Sequence, residues 1–248
     1  MGLVETEALI LRTYALSDAD KIVVALTEDE GLVRGVAKGA KRLKSRFGSS
    51  LEPFSVVRLS YYQKEEKELV SVSAIDLEHS YFAIASDPDF LKAFSYAAEL
   101  LVAFAPPHEK NERLYKMTKF CLEAAAETGN FGAVLLYFEI WLLKLGGFLP
   151  SWEKCVSCGR EPSENETVSL EPDFSVACGK CKGRGKLQDI PTVERMTFTF
   201  AQKTSPLKFV EFAEDKPKET EVVSKVLRHM IARILNREVG DSGAPARA

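Results

Sequence analysis

The chain has 248 residues, 46% hydrophobic and 28% charged, a balance that excludes a disordered protein and leaves room for one large domain or two modest ones. Its formal net charge of −3 excludes a surface that is basic all over, so affinity for nucleic acid has to come from a local patch. The most apolar stretch, 131–150, is interrupted by Glu139 and Lys144 and ended by Gly146-Gly147, which makes it a buried helix rather than the roughly 20 apolar residues of a membrane span.

The first residues have neither the basic start nor the apolar core of an export signal. A soluble, cytoplasmic protein with reduced thiols is expected. Residues 1–80 read as five short strands. Leu3–Leu16 alternates in part, with Leu9 and Leu11 on one face and Ala8 and Ile10 on the other. Lys21–Thr27 is apolar and β-branched, and Glu28-Asp29-Glu30-Gly31 supplies a turn into Leu32–Lys38. Ser55–Gln63 and Leu69–Leu77 follow, joined by the charged turn 64–68. Five strands without an intervening long helix fit a small barrel. OB-like and SH3-like barrels share this strand count, and the residue pattern leaves both open.

Helices are expected from Asp87 onward. Asp87-Pro88 is an N-cap followed by a first-turn proline, and Phe90, Leu91, Phe94, Ala97, Ala98, Leu101 and Phe104 recur at helical spacing until Pro106-Pro107. Asn111 opens a second helix that ends near Gly129, and Phe131–Leu145 forms a third. Residues 151–190 are rich in turn formers. Val222, Val226, Leu227, Met230, Ile231 and Ile234 mark a last helix, and Gly240–Ala248 reads as a frayed tail. The fold expected is therefore α+β. A barrel domain at 1–80 precedes a helical domain at 81–248, which carries an insertion at 151–190.

That insertion contains two C-x-x-C pairs, Cys155/Cys158 and Cys178/Cys181. Each pair aims two thiolates at one point, and two pairs at this spacing complete a tetrahedral four-sulfur zinc-ribbon site. With all four positions taken by protein, one structural Zn2+ is expected. Gly159 and Gly179 directly follow two of the cysteines, where glycine permits positive φ and lets backbone N–H groups face the sulfurs. Cys121 lies on an apolar helical stripe and reads as core.

A second constellation lies in the barrel. Between Gly31 and Gly48 there are Arg34, Lys38, Lys41, Arg42, Lys44 and Arg46 and no acidic residue. Clustered cations without acids suit a phosphate backbone, because contact releases condensed counterions. Phe47, Tyr61 and Tyr62 either offer faces for base stacking or belong to the barrel core. Lys180, Lys182, Arg184 and Lys186 extend the basic track or decorate a solvated ribbon tip. No nucleophile motif, phosphate-binding loop or dinucleotide fingerprint occurs, and His79, His108 and His229 are scattered. The expected protein is not an enzyme.

Several stretches resemble the RecO family of bacterial DNA-repair mediators. They are Leu9-Ile-Leu-Arg-Thr13, Ser17-Asp-Ala-Asp-Lys-Ile-Val23, Gly31-Leu-Val-Arg-Gly-Val-Ala-Lys-Gly-Ala40 with Lys44-Ser-Arg-Phe-Gly48, Leu51-Glu-Pro-Phe54, and Leu145-Gly-Gly-Phe-Leu-Pro150. The resemblance spans most of residues 5–182 and thins beyond Ile190. It implies an OB-fold that binds single- and double-stranded DNA and anneals complementary strands in recombinational repair at the nucleoid. It further implies work with RecR, helping RecA onto DNA coated by single-strand-binding protein, whose C-terminal tail the helical domain takes. Carried over by position, Arg34, Lys38, Lys41, Arg42, Lys44 and Arg46, with Lys21 as a seventh, are the implied DNA contacts. Two alternatives use the same residues differently: a zinc-ribbon scaffold for protein partners, and an RNA-binding barrel.

Overall fold

The computed structural model describes residues 2–63, 68–183 and 185–235. The turn at 64–67, Arg184 and the tail from 236 onward lie outside the described residues. By internal contacts the chain divides into two compact units, Met1–Phe131 and Gly132–Ala248.

The first unit is built on five strands: β1 (Gly2–Ala15), β2 (Lys21–Thr27), β3 (Gly31–Ala37), β4 (Val56–Gln63) and β5 (Leu69–His79). β1 pairs antiparallel with both β2 and β4, β2 with β3, and β4 with β5. A short parallel pairing of Arg34–Val36 with Leu69–Ser71 joins β3 to β5 and closes the barrel in the order β1-β2-β3-β5-β4. This order decides for the OB-fold over the SH3-like alternative. The five strands fall within a few residues of the segments expected from alternation and turn residues.

Ala8, Ile10, Val23, Ala25, Val33, Val57, Leu59, Tyr61 and Val72 fill the barrel interior. At Gly35 a Cβ would come within 2.7 Å of Val72 Cγ2 and 2.8 Å of Val70 Cγ2, so only glycine admits those valines. The outward residues Leu9 and Leu11 are buried as well, each 1% exposed. Helices α2 (Pro88–Phe104) and α3 (Glu112–Thr128) of the same unit account for that, and a single turn, α1 (Phe82–Ala85), leads into them. Phe54 meets Phe90 and Phe94 edge-on at 5.6 Å. Arg12 on β1 pairs with Glu99 at 3.1 Å, and Glu7 accepts from Tyr115 and Lys119 at 2.7 Å each. A strand packed on both faces loses clean alternation, which explains the partial pattern in Leu3–Leu16.

The helix ends follow their capping residues. Asp87 accepts from the Asp89 and Phe90 amides, Asn111 Oδ1 accepts from Leu114 N at 3.1 Å, and Gly129 closes α3 at φ 67°.

The second unit holds α4 (Phe131–Leu145), a three-stranded sheet of β6 (Val168–Leu170), β7 (Val176–Ala177) and β8 (Gln188–Ile190) in the order β7-β6-β8, and then α5 (Thr192–Ala201), α6 (Pro206–Glu214) and α7 (Pro217–Ile234). α4 and α7 match the expected helices, although α7 begins earlier than its apolar stripe suggested. α5 and α6 were not read from the sequence. Thr197-Phe-Thr-Phe200 is β-branched and aromatic, a poor local helix signal. The helix is stabilised by tertiary contacts: Phe198 stacks on Trp152 at 4.3 Å, and Trp141 Nε1 of α4 donates to Ala201 O at 2.9 Å. Among the described residues no helix is long and apolar enough to cross a membrane.

Candidate nucleic-acid interface and metal centre

The basic segment leaves β3 at Ala37 and runs to a short 3-10 turn at Gly48–Leu51. Lys38, Lys41, Arg42, Lys44 and Arg46 are all exposed, as is Arg34 on β3. The loop is held by the β1–β2 connection beside it. Asp20 Oδ1 accepts from Gly39 N at 2.8 Å, Ala19 O accepts from Lys41 N at 2.9 Å, and Ser17 O accepts from Lys41 Nζ at 3.0 Å. Gly39 sits at φ 73°, a left-handed conformation that turns its N–H toward the Asp20 carboxylate. Two successive tight turns follow, Arg42 N to Gly39 O at 3.1 Å and Ser45 N to Arg42 O at 2.9 Å. The cations therefore project from a fixed backbone.

Lys21 is in register with Ala15 and Ala37, at the same end of the barrel as the loop, and is half-buried. Arg34 stands apart, three residues back along β3, roughly 10 Å from the strand's end. Phe47 and Tyr61 are each 1% exposed, so both belong to the core and neither offers a face to bases. The Arg46 guanidinium lies 4.9 Å from the centre of the Phe47 ring. Tyr62 is 39% exposed and remains available.

The register adds an aromatic residue that sequence reasoning missed. Tyr14 pairs with Ile22, Ile22 with Val36, Val36 with Ser71, and Ser71 with Tyr62. One rung on the outer face thus runs across all five strands and ends in two exposed tyrosines. Arg34 lies two residues before Val36 on that same face, and Lys38 follows just beyond the strand's end. Tyr14 faces outward because β1 has a register shift between Ile10 and Arg12 that resets its alternation. Nothing local in the sequence signals that shift.

The second unit gathers Cys155, Cys158, Cys178 and Cys181, with all four Sγ atoms within 4.8 Å of one another and Cys158–Cys178 at 3.9 Å. A tetrahedral ion bound by thiolates at about 2.3 Å requires sulfur–sulfur separations of about 3.8 Å. The cluster fits one metal ion with no coordination position left for solvent.

Gly159 takes the expected positive φ, 72°, but its N–H donates to Cys155 O at 2.9 Å rather than to a sulfur. Gly179 differs: its φ is not positive, and its N–H goes to Glu166 Oε1 at 2.9 Å rather than to a sulfur. A side chain there would crowd that carboxylate, with a Cβ 3.3 Å from it. The Cys178 amide does reach a sulfur, 3.3 Å from Cys155 Sγ. Burial works to raise the Cys155 thiol, but amides of Cys178, Cys158 and Ser157 outweigh it and bring the pKa down to about 6. Hydrogen bonds that the Cys181 thiol donates to the Cys158 and Cys178 sulfurs push it up to about 12.

Around the thiols, Arg160 forms a two-point pair with Glu166, one arm at 2.8 Å, and this pair with the Gly179 amide holds the Glu166 carboxyl at about 2. Arg195 of α5, 9% exposed, donates to Ser163 O at 2.7 Å and Glu164 O at 2.9 Å, tying the cysteine module to the helix. Of the second basic run, Lys180 and Lys182 are exposed, Lys186 pairs with Asp189, and Arg184 lies outside the described residues. Cys121 is fully buried, as expected of a core residue.

Barrel and thiol cluster together define an OB-fold protein whose second unit carries a four-cysteine cluster able to hold a metal ion. A family model described as recombination protein O, N terminal, matches residues 1–81, and its C-terminal counterpart matches residues 85–240. The chain belongs to the RecO family of DNA repair and recombination proteins. It is 35% identical over 157 residues to the DNA repair protein RecO of Koribacter versatilis, a stretch covering 63% of this chain and 64% of that protein. To the proteins of that name from Symbiobacterium thermophilum and Caldanaerobacter subterraneus it is 33% identical over 189 residues and 32% over 187. Those stretches cover 75% and 72% of this chain, and 74% and 69% of the relatives.

Proposed function

We propose that this chain is a non-catalytic recombination mediator that binds single- and double-stranded DNA and anneals complementary strands in the cytoplasm, at the nucleoid. With RecR it helps load RecA onto DNA coated by single-strand-binding protein, whose C-terminal tail it engages. The observation that carries the reading is the acid-free loop of exposed cations fixed at one end of an OB barrel. Lys21, Arg34, Lys38, Lys41, Arg42, Lys44 and Arg46 are its DNA contacts. By neutralising phosphates on two strands at once they lower the repulsion that opposes pairing. Residues 1–80 act as the DNA-binding domain, and 81–248 as a helical domain carrying the metal module at 151–190. The metal is one structural Zn2+, supported by the four-thiolate donor set and closed tetrahedral spacing.

The deciding experiment follows annealing of complementary DNA strands pre-coated with single-strand-binding protein. The protein should accelerate it, and Lys41→Glu with Arg42→Glu should abolish the acceleration. No acceleration by folded, metal-loaded protein would reject the mediator role. Acceleration that survives the double substitution would reject the loop assignment.

A further inference from the structure

We propose that Leu43 is a wedge that inserts between adjacent bases of a bound single strand. The inference rests on the nucleic-acid reading of the barrel loop and adds a base-contacting residue to its phosphate contacts. Leu43 is wholly exposed, at 103% of its reference area, in a chain whose other large apolar residues are at most 65% exposed among those described. A lone exposed leucine is ordinary, but its setting here is not. It lies between Arg42 and Lys44 in the turn closed by Ser45 N to Arg42 O, a position that usually holds polar residues or glycine. The turn is anchored on the β1–β2 connection through Gly39 and Lys41, so the side chain has no partner to fold back on. Leu16, on the connection that anchors it, is itself 47% exposed.

An apolar tip with the exposed cations Lys41, Arg42, Lys44 and Arg46 all within three residues of it matches a ligand that is anionic outside and apolar between its charges. A single-stranded polynucleotide has that make-up: phosphates for the cations and base faces for the leucine. Leucine is among the residues that proteins drive between base steps. An anionic membrane surface also combines charge with apolar depth. The rung ending in Tyr14 and Tyr62 favours nucleic acid, because it supplies flat rings on the cationic face. Inserting Leu43 unstacks one step of the bound strand and buries the leucine against the base faces.

The test uses the full-length protein and a single-stranded oligodeoxynucleotide with internal 2-aminopurine, whose fluorescence rises when its neighbours unstack. The wild type and Leu43→Met should raise the fluorescence on binding. Leu43→Ala should lose most of that rise and bind roughly three- to tenfold more weakly. Its salt dependence should not change, because no phosphate contact is removed. If Leu43→Ala keeps the rise, or the wild type binds without one, the wedge is overturned and DNA binding stands. No binding at all by the wild type overturns the DNA reading and the wedge with it. Leu43-dependent binding to phosphatidylserine vesicles, with no rise on DNA, reassigns the tip to membranes.

Discussion

Glu7 shows how one carboxylate on β1 couples strand to helix. It is partly buried, and burial alone would raise its pKa, but hydrogen bonds from Lys119 and Tyr115 of α3 outweigh that and hold it below the ordinary 4.5. A carboxylate depressed by folding stabilises the native state above its unfolded pKa, and the contribution is lost as pH falls through the folded value. Glu7→Gln is therefore expected to cost about 1.5–3 kcal/mol at pH 7, the scale of a hydrogen bond to a charged group. Below pH 4.5 the gap should narrow steadily and close once the wild-type carboxyl is protonated. Urea denaturation at pH 7 and across pH 4.5 to 3 measures it. A gap that is constant with pH would mean the charge at Glu7 has no part in stability.

The barrel loop and the β1–β2 connection behave as one device at the level of elements. Asp20 is an acid beside the loop proposed to bind phosphates, so on charge alone its removal should strengthen binding. Its carboxylate also accepts the Gly39 amide and sets the loop's conformation. Two substitutions separate these roles. Asp20→Asn keeps an acceptor, sheds the charge, and should bind single-stranded DNA more tightly than the wild type. Asp20→Ala sheds both and should bind several-fold more weakly than Asp20→Asn, because the freed loop pays ordering entropy on binding. Equal affinities for the two variants, by anisotropy titration at fixed salt, would show that the staple is irrelevant. In the second unit, Arg195 and the Trp152–Phe198 stack do for the cysteine module what Asp20 does for the loop.

For the whole molecule, a barrel unit that folds on its own core and a second unit organised around four thiols predict unequal responses to metal removal. Structural zinc contributes folding free energy directly, since its ligands converge only when folded. Cys178→Ser, or chelation of the wild type, should speed amide exchange through residues 152–204, where Trp152, Arg195 and Phe198 hang on the module. The amides of β1–β5 should stay protected, because the barrel ladder closes on itself. Exchange read by mass spectrometry, with metal content measured on the same sample, tests this. Uniform loss of protection would show that the barrel depends on the metal, and unchanged exchange would show that the module holds without it.

Much of this protein was legible in its sequence because the relevant signals are local. Period-two alternation bounded by turn residues located the five strands, capped helical stripes located α2 and α3, and an apolar run closed by Gly146-Gly147 located α4. The C-x-x-C pairs picked out the four cysteines that the fold brings together, because two thiolates per tight turn is a property of a few consecutive residues. The cation cluster was likewise visible, as a run without acids. Tertiary structure decided what depends on distant partners. Phe47 and Tyr61 became core while Tyr14 and Tyr62 came to share a rung, since register across five strands is set by a bulge and by long-range pairing. Thr192–Ala201 became a helix against its local propensity because burying Phe198 on Trp152 outweighs it. Gly179 turned its amide to Glu166, thirteen residues away, and Asp20, nineteen residues before Gly39, fixed the basic loop. Composition and spacing determine which residues are present to act; long-range hydrogen bonds and packing determine where they face.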